Sequence, residues 1–121
     1  GSSAYLDLAV VTYSNLEKIN LLGIPASLIE THGAVSEFVA LAMASGVATR
    51  AKADIGVGVT GIAGPTGGTE TKPVGTVCFA WKVNDQEIVT STEHFSGERN
   101  DVRYFSVERA LLGTIKLLKN T

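Results

Sequence analysis

Residues 55 to 60 read Ile55-Gly56-Val57-Gly58-Val59-Thr60, with branched apolar residues and glycine in alternation. A period of two is typical of a β-strand, because successive side chains point to opposite faces of a sheet. Glycine at every second position leaves one face almost without side chains, so that another backbone or a ligand can approach it closely. The pattern therefore predicts a strand over residues 54 to 60 with one closely packed face.

The residues on either side of this strand predict its partners. Before it, an Ala-rich stretch that Ser36 can cap and that ends near Ala51 predicts a helix with small residues suited to close contact with a sheet. After it, residues 75 to 83 and 87 to 95 predict the arms of an antiparallel hairpin with a turn at Asn84-Asp85.

The remaining elements complete an α/β pattern. We expect a strand over residues 6 to 13, short helices over 14 to 22 and 25 to 31, and a final helix from Arg99 to Lys119. Five apolar residues at helical spacing are expected to pack this last helix on the sheet: Tyr104, Val107, Leu111, Ile115 and Leu118. The order predicts a three-layer α/β/α domain, with a mixed sheet and helices on both faces.

The composition predicts one domain over residues 1 to 121, because 45% hydrophobic and 18% charged residues suffice to form a core. A net charge of −2 without a basic cluster argues against nucleic acid as a partner. No apolar stretch could cross a membrane and no signal pattern occurs, so a soluble, cytoplasmic protein is expected. Cys78 is the single cysteine and is expected to be a small buried hydrophobe; its spacing from His32 and His94 does not fit a zinc site.

The loop after the glycine-rich strand is the first candidate site. Ligands collect at strand ends in α/β sheets, and the N–H groups of a glycine-rich loop can hold an anion or an oxyanion, assisted here by the Thr60 hydroxyl. A structural turn explains the same residues equally well. A Walker loop is excluded, because Lys72 precedes Pro73 and no Gly-Lys-Ser/Thr step occurs. The loop begins Thr60-Gly61-Ile62-Ala63-Gly64-Pro65-Thr66-Gly67-Gly68.

Two further clusters carry polar chemistry. Ser14 and Lys18 lie four residues apart where a strand becomes a helix, and a lysine with a lowered pKa can act as a base for a hydroxyl. From the residues alone, the simpler interpretation is that Ser14 caps a helix and that Lys18 is a solvated surface lysine. Arg99 and Arg103 open the final helix, where cations oppose the macrodipole, so either an anionic ligand or pairing with nearby acidic side chains is indicated.

Taken together, these segments resemble the CinA C-terminal domain family in order and spacing over the whole chain. The resemblance implies a nicotinamide-nucleotide amidase, which hydrolyses nicotinamide mononucleotide to nicotinate mononucleotide and ammonia in pyridine-nucleotide recycling, with no metal and no organic cofactor. The matching segments are Val11-Thr12-Tyr13-Ser14-Asn15 with Lys18, His32-Gly33-Ala34-Val35-Ser36, Thr60 to Pro65, Lys72 to Val77, and Phe95-Ser96-Gly97-Glu98-Arg99 with Arg103.

The resemblance also implies roles for individual residues. Lys18 would be the base or proton shuttle, and Tyr13 would help to orient or polarise the nucleophile. Thr60, Gly61, Ile62, Ala63 and Gly64 would hold the substrate or its oxyanion, while Arg99 and Arg103 would bind the phosphate through charge-assisted hydrogen bonds. The family's nucleophile is a serine in a Ser-Cys-Thr-Gly-Gly motif that precedes Gly1, so we expect the family's first helix and strand to be missing and this fragment to be inactive alone.

Other functions remain compatible with the sequence. The chain could be a non-catalytic nucleotide-binding or dimerisation module of a larger CinA-like protein. Ser14 with Lys18 could also form a local serine and lysine hydrolase pair, provided that Ser14 is exposed instead of capping a helix. Apart from a small-molecule mononucleotide, the partner expected by analogy is a second copy of the chain in a homo-oligomer.

Overall fold

The computed structural model describes residues 24–51, 54–83 and 87–119. The predicted strand 6 to 13, the predicted helix 14 to 22 and the turn at Asn84-Asp85 lie outside these ranges. Within them, no helix is long and apolar enough to span a bilayer. The elements are α1 (Ala26–His32), α2 (Glu37–Ala51), β1 (Ile55–Gly61), β2 (Thr76–Val83), β3 (Glu87–His94) and α3 (Arg99–Lys119).

The strands form an antiparallel sheet in the order β1-β2-β3. Thr60 lies opposite Cys78, which in turn lies opposite Thr92, so these three side chains share one face. Helix α2 covers that face, and α3 packs on the other through Trp81. The predicted α/β architecture with helices on both faces is thereby confirmed, and all strand pairs in the described ranges are antiparallel.

The packing of α2 on β1 depends on the absence of large side chains on both elements. A Cβ atom at Gly58 would overlap the carbonyl oxygen of Ala40, and one at Gly56 would overlap that of Ala44. Ala40 and Ala44 are themselves fully buried. The helix backbone thus rests directly on the strand backbone, as the glycine alternation and the Ala-rich stretch predicted.

The start of α2 is fixed by the cap that the sequence predicted. The Ser36 hydroxyl accepts a hydrogen bond from the backbone N–H of Val39 at 3.2 Å and donates one to the carbonyl of Gly33 at 3.0 Å. Gly33 adopts a positive φ of 81° and ends α1. Pro25 has an extended backbone (ψ 134°) and precedes the first turn, so α1 begins one residue later than predicted.

Trp81 organises the face of the sheet on which α3 packs. Its indole N–H donates to the carbonyl oxygen of Ala110 at 3.2 Å, and the guanidinium of Arg109 lies 5.0 Å from the ring centroid. A Cβ atom at Gly113 would overlap the indole ring. Glycine at position 113 therefore leaves space for the indole ring of Trp81. The same ring stacks on Phe79 along β2, with 5.7 Å between the ring centroids.

The prediction of which side of α3 faces the sheet is wrong. The side chains buried against the core belong to Val102 and Leu117, on the side that carries Gly113. By contrast, Tyr104 (64%), Val107 (61%), Leu111 (59%) and Ile115 (47%) remain largely exposed. Because Trp81 fills the space under the helix, α3 packs on the sheet with the side that carries the small residue Gly113, and not with the side of large apolar residues that helical periodicity predicted. Of the five predicted residues, Leu118 does pack on the core.

Replacing Gly58 tests the backbone contact between β1 and α2. Gly58→Ala is expected to lower the free energy of unfolding by about 3 kcal/mol or more, because the new methyl group can be accommodated only by moving α2 away from the sheet. Val59→Ala, on the opposite face of the same strand, should cost about 1–2 kcal/mol. Urea unfolding of both variants measures the difference, and equal costs would contradict the close contact.

Candidate functional site

The glycine-rich loop between β1 and β2 is closed at its base by backbone hydrogen bonds. Ile62 donates to the carbonyl of Thr76 at 2.9 Å and accepts from the N–H of Gly75 at 2.7 Å. A tighter turn within the loop joins Thr69 and Lys72, whose backbones bond at 2.8 Å. Both main-chain groups of Ile62 are therefore committed, so the Ile62 N–H that was predicted to hold an anion is already bonded to Thr76.

The tip of the loop meets the start of α3. Arg99, the first residue of the helix, donates from Nη1 to the carbonyl oxygen of Gly64 at 3.0 Å. Gly64 has φ 91°, a conformation that side chains rarely adopt, and is followed by a cis bond to Pro65. The structure thus brings together the glycine-rich loop and Arg99, which the family resemblance assigned to one site.

The other predicted loop residues differ in their surroundings. Thr60 is buried, and its hydroxyl donates to the carbonyl of Ala34 at 2.8 Å. Because a hydroxyl carries one hydrogen, this bond directs the Thr60 proton toward the protein. Ala63 packs on the core, whereas Gly61 at the end of β1 is exposed. Contact between Thr60 and a substrate stays a prediction. In such a contact the Thr60 hydroxyl oxygen would accept a hydrogen bond from the substrate.

Arg103 lies one turn after Arg99 and is exposed. Asp101 closes the same turn by accepting a hydrogen bond from the backbone N–H of Glu98 at 2.9 Å. Residues four apart share a side of a helix, so both arginines point to the same region at the start of α3. The predicted catalytic residues, Tyr13 and Lys18, lie outside the described residues.

An open pocket of about 450 Å³ lies on the sheet face opposite α3. Its walls combine polar side chains of β2 and β3 with the connection between α1 and α2 and the end of the glycine-rich loop. The rings of His32 and Phe38 stack beside it with centroids 4.0 Å apart. Its polar and ionisable lining includes Glu37, Lys72, Cys78 and Thr92.

Glu37, Thr92 and Cys78 form a hydrogen-bonded chain across this pocket. Thr92 donates to Glu37 Oε2 at 2.5 Å, which leaves its oxygen to accept from the Cys78 thiol at 3.6 Å. The hydrogen bond from Thr92, with a further one from Thr90, lowers the pKa of Glu37 against the opposing effect of burial. Burial is the main reason that the pKa of Cys78 is raised, as expected of the small buried residue that the sequence predicted.

Lys72 fastens the far end of the glycine-rich loop to α1. Its ammonium group donates to the carbonyl oxygen of His32, the last residue of that helix, at 3.1 Å. A Cβ atom at Gly33 would lie 3.2 Å from the Lys72 nitrogen, so the glycine leaves room for it. A cation at a helix C-terminus is favoured by the macrodipole. The loop is therefore held by a cation on each side, Arg99 at Gly64 and Lys72 at its end.

The contacts of Glu37 with Thr92 and of Lys72 with His32 were not predicted from the sequence. A usable signal existed, because pairing the predicted hairpin arms places Thr76, Cys78 and Thr92 on one face. The position of Glu37 over that face depends on the closeness of α2 to the sheet, and Lys72 approaches His32 across 40 residues of sequence. Neither contact can be deduced from local spacing.

These features define a layered α/β domain with a glycine-rich loop anchored at one edge of its sheet. A family model for the CinA C-terminal domain matches residues 1–118. The chain belongs to this family. The resemblance inferred from the motifs is confirmed at the level of the family.

Individual relatives agree with this assignment. The chain is 55% identical over 111 residues to a CinA-like protein of Mycobacterium sp. (strain JLS) and 50% identical over 121 residues to one of Mycobacterium tuberculosis (strain ATCC 25177 / H37Ra). These matches cover 92% and 100% of the chain but only 26% and 27% of the relatives. The chain thus spans about a quarter of the length of these curated relatives.

Solved structures support the fold. The competence/damage inducible protein CihA from Agrobacterium tumefaciens is similar with a TM-score of 0.85 and 40% identity, covering 88% of this chain and 66% of that one. A competence-damaged protein (CinA) superfamily protein from Klebsiella pneumoniae 700603 has a TM-score of 0.86 and 38% identity, with 93% and 69% covered.

Lys72→Met tests the attachment of the loop to α1. The substitution keeps the apolar stem and removes the ammonium group, so we expect a loss of about 1 kcal/mol in the free energy of unfolding and faster amide exchange in the Thr69 to Lys72 turn. Lys116→Met, on the exposed end of α3, is the matched control. Unchanged exchange in that turn would contradict the anchoring role.

Thr92→Val tests the hydrogen bond to Glu37. We expect the pKa of Glu37 to rise toward its ordinary value in a carbon-detected NMR titration. A lowered carboxyl pKa stabilises the fold above the unfolded pKa of about 4.3, and this stabilisation is lost as the pH falls through the folded value. Thr92→Val should therefore destabilise by about 1 kcal/mol or less at pH 7 and by less at pH 3, since solvent screens the exposed carboxylate.

Ser91→Ala is the control for this experiment. Ser91 lies on the opposite face of β3, and its buried hydroxyl has no hydrogen-bond partner among the described residues. Its removal should be neutral or slightly stabilising at both pH values. A cost for Thr92→Val that does not depend on pH would contradict the role of the Glu37 charge.

Proposed function

We propose that this domain is the substrate-binding and catalytic part of a nicotinamide-nucleotide amidase. The reaction adds water across the carboxamide of nicotinamide mononucleotide: a C–O bond forms, the C–N bond breaks, and the nitrogen leaves as ammonia. The observation that carries the proposal is the contact of Arg99 with Gly64, which joins a guanidinium, a helix N-terminus and a glycine-rich loop at one sheet edge. The motif resemblance supplies the substrate.

The phosphate is assigned to the start of α3. A guanidinium has five N–H donors in a planar fork, so one bond to Gly64 leaves Arg99 with capacity for phosphate oxygens. The N-terminal end of α3 adds a favourable dipole. Arg103 lies on the same side one turn further on and extends the positive region. A bound phosphate explains why two arginines occur in the first turns of α3, where their positive charges oppose the helix dipole.

The carboxamide is assigned to the loop from Ala63 onward. An oxyanion develops on the carboxamide oxygen when a nucleophile attacks, and backbone N–H groups fixed in advance stabilise that charge. Arg99 and Lys72 hold the loop at two separate points. Such fixation favours catalysis because the donors need not reorganise as the charge forms.

The nucleophile and base are assigned through the family resemblance. It implies a serine in a Ser-Cys-Thr-Gly-Gly motif, and that motif does not occur among the 121 residues. Lys18 would accept the serine proton and later deliver it to the leaving nitrogen, which requires a neutral amine and hence a lowered pKa. Tyr13 would orient the serine. The proposed reaction therefore needs a polypeptide that carries this motif ahead of the present chain.

Ammonia release from nicotinamide mononucleotide tests the function. We expect release by a version of the protein that carries the serine motif, and binding of the mononucleotide without release by the 121-residue chain alone. Nicotinamide riboside, which lacks the phosphate, should bind at least roughly tenfold more weakly. Binding without release by the version with the motif would favour the alternative of a non-catalytic nucleotide-binding module.

Two substitutions in the version with the motif separate binding from chemistry. Arg99→Ala should raise KM for the mononucleotide by roughly 10- to 100-fold, since it removes charge-assisted hydrogen bonds to phosphate. Lys18→Ala should lower kcat by roughly 10²- to 10⁴-fold, since it removes the base. Arg109→Ala is the control, because Arg109 contacts Trp81 away from the loop. If Arg99→Ala mainly lowered kcat and Lys18→Ala mainly raised KM, the assigned roles would be overturned.

A further inference from the structure

The pocket between the start of α2 and the end of the glycine-rich loop carries two opposite charges that stay unneutralised. Glu37 accepts hydrogen bonds from Thr92 and Thr90, and Lys72 donates one to the backbone carbonyl of His32. These partners are uncharged, and among the described residues neither Glu37 nor Lys72 forms an ion pair. Because a carboxylate accepts several hydrogen bonds and an ammonium group has three donors, both groups can still bind a ligand.

The two charges act on the same part of the pocket floor. Cys78 lies on that floor, and burial is the largest cause of the rise in its pKa. Of the two charges, Glu37 raises the pKa of the thiol further, whereas Lys72 lowers it. Such opposing effects require both charges to lie near the thiol, because Coulomb interactions fall off with distance. The pocket therefore presents a negative and a positive group around one small area.

An aromatic wall stands beside these charges. Phe38 is 59% exposed, yet its ring is held by stacking on the ring of His32, with centroids 4.0 Å apart and planes inclined by 19°. Both side chains line the pocket. An exposed phenylalanine that is fixed in place offers its ring as a stacking surface for a flat apolar group.

We propose that this pocket binds a free α-amino acid with an aromatic side chain. The ammonium group of the ligand pairs with Glu37, its carboxylate pairs with Lys72, and its ring packs on Phe38. Both protein charges are held by hydrogen bonds before the ligand arrives, which reduces the entropy lost on binding. The site uses none of the residues assigned to the mononucleotide and does not depend on the amidase function.

The balance of charge selects this class of ligand. A simple anion or cation would neutralise one of the two protein charges and leave the other near it unpaired. A free amino acid carries both charges next to each other, whereas a peptide carries them at opposite ends. The pocket volume of about 450 Å³ lies in the range of small-molecule sites. For a ligand of about a dozen non-hydrogen atoms we expect a Kd on the order of 1 mM.

NMR titration of the 121-residue chain with L-phenylalanine tests the site. We expect saturable shifts at the amides of Glu37, Lys72 and Thr92. N-acetyl-L-phenylalanine lacks the ammonium charge and L-phenylalaninamide lacks the carboxylate, so each should bind at least roughly fivefold more weakly. A lack of saturation by about 20 mM, or equal binding of the three compounds, would overturn the proposal. So would displacement by nicotinamide mononucleotide, because the pocket would then belong to the mononucleotide site.

Two substitutions test which protein charge meets which ligand charge. Glu37→Gln should weaken binding of L-phenylalanine at least roughly fivefold and leave binding of the N-acetyl compound unchanged, because that interaction is already absent. Lys72→Met should do the same for L-phenylalanine and leave binding of L-phenylalaninamide unchanged. Lys116→Met, at the exposed end of α3, is the control. If either variant weakened all three compounds alike, its effect would be structural and the pairing would be refuted.

Phe38→Ala tests the aromatic wall. We expect binding of L-phenylalanine to weaken at least roughly threefold, since the stacking surface is lost. The fold should be retained because the Phe38 ring is mostly exposed. Ile88→Ala, which removes a similarly exposed apolar side chain from β3, is the control and should leave binding unchanged. Unchanged binding by Phe38→Ala would overturn the assignment of an aromatic ligand.

Discussion

The direct contact between the backbones of α2 and β1 determines where most other groups of the domain lie. Gly56 and Gly58 permit it, since a side chain at either position would collide with a carbonyl of α2. Because the helix lies so close, its first turn reaches beyond β2 to β3, where Glu37 accepts a hydrogen bond from Thr92. The connection before α2 is also brought near the sheet edge, where Thr60 and Lys72 bond to carbonyls of Ala34 and His32.

The glycine-rich loop is anchored through this same packing and through the other layer. On the α2 side, Lys72 bonds to the end of α1; on the α3 side, Arg99 bonds to Gly64. The loop is thus attached to helices of both layers, while its central residues are exposed to solvent. An anchored loop with an exposed tip is a suitable arrangement for fixed hydrogen-bond donors that must meet a developing charge. This is the physical basis on which the amidase proposal depends.

Features that depend on local chemistry could be predicted from the sequence. The Ser36 cap, the alternation in β1 and the arms of the hairpin agree with the structure to within one or two residues, because periodicity and capping are local. The side of α3 that meets the sheet could not be predicted, since it depends on Trp81 occupying the space beneath Gly113. Likewise, the meeting of Arg99 with the loop was anticipated from the motif order, whereas the bond from Lys72 to His32 needed the three-dimensional path of the chain.

The most direct measurement is an NMR titration of the chain, labelled with ¹⁵N, with nicotinamide mononucleotide. We predict that the largest shifts occur at the amides of Ala63, Gly64, Thr66 and Gly67 and at the guanidinium of Arg99, with saturation and with competition by phosphate. Shifts concentrated instead around Glu37 and Thr92, with the loop and Arg99 unaffected, would contradict the claim that the anchored loop and the start of α3 form the mononucleotide site.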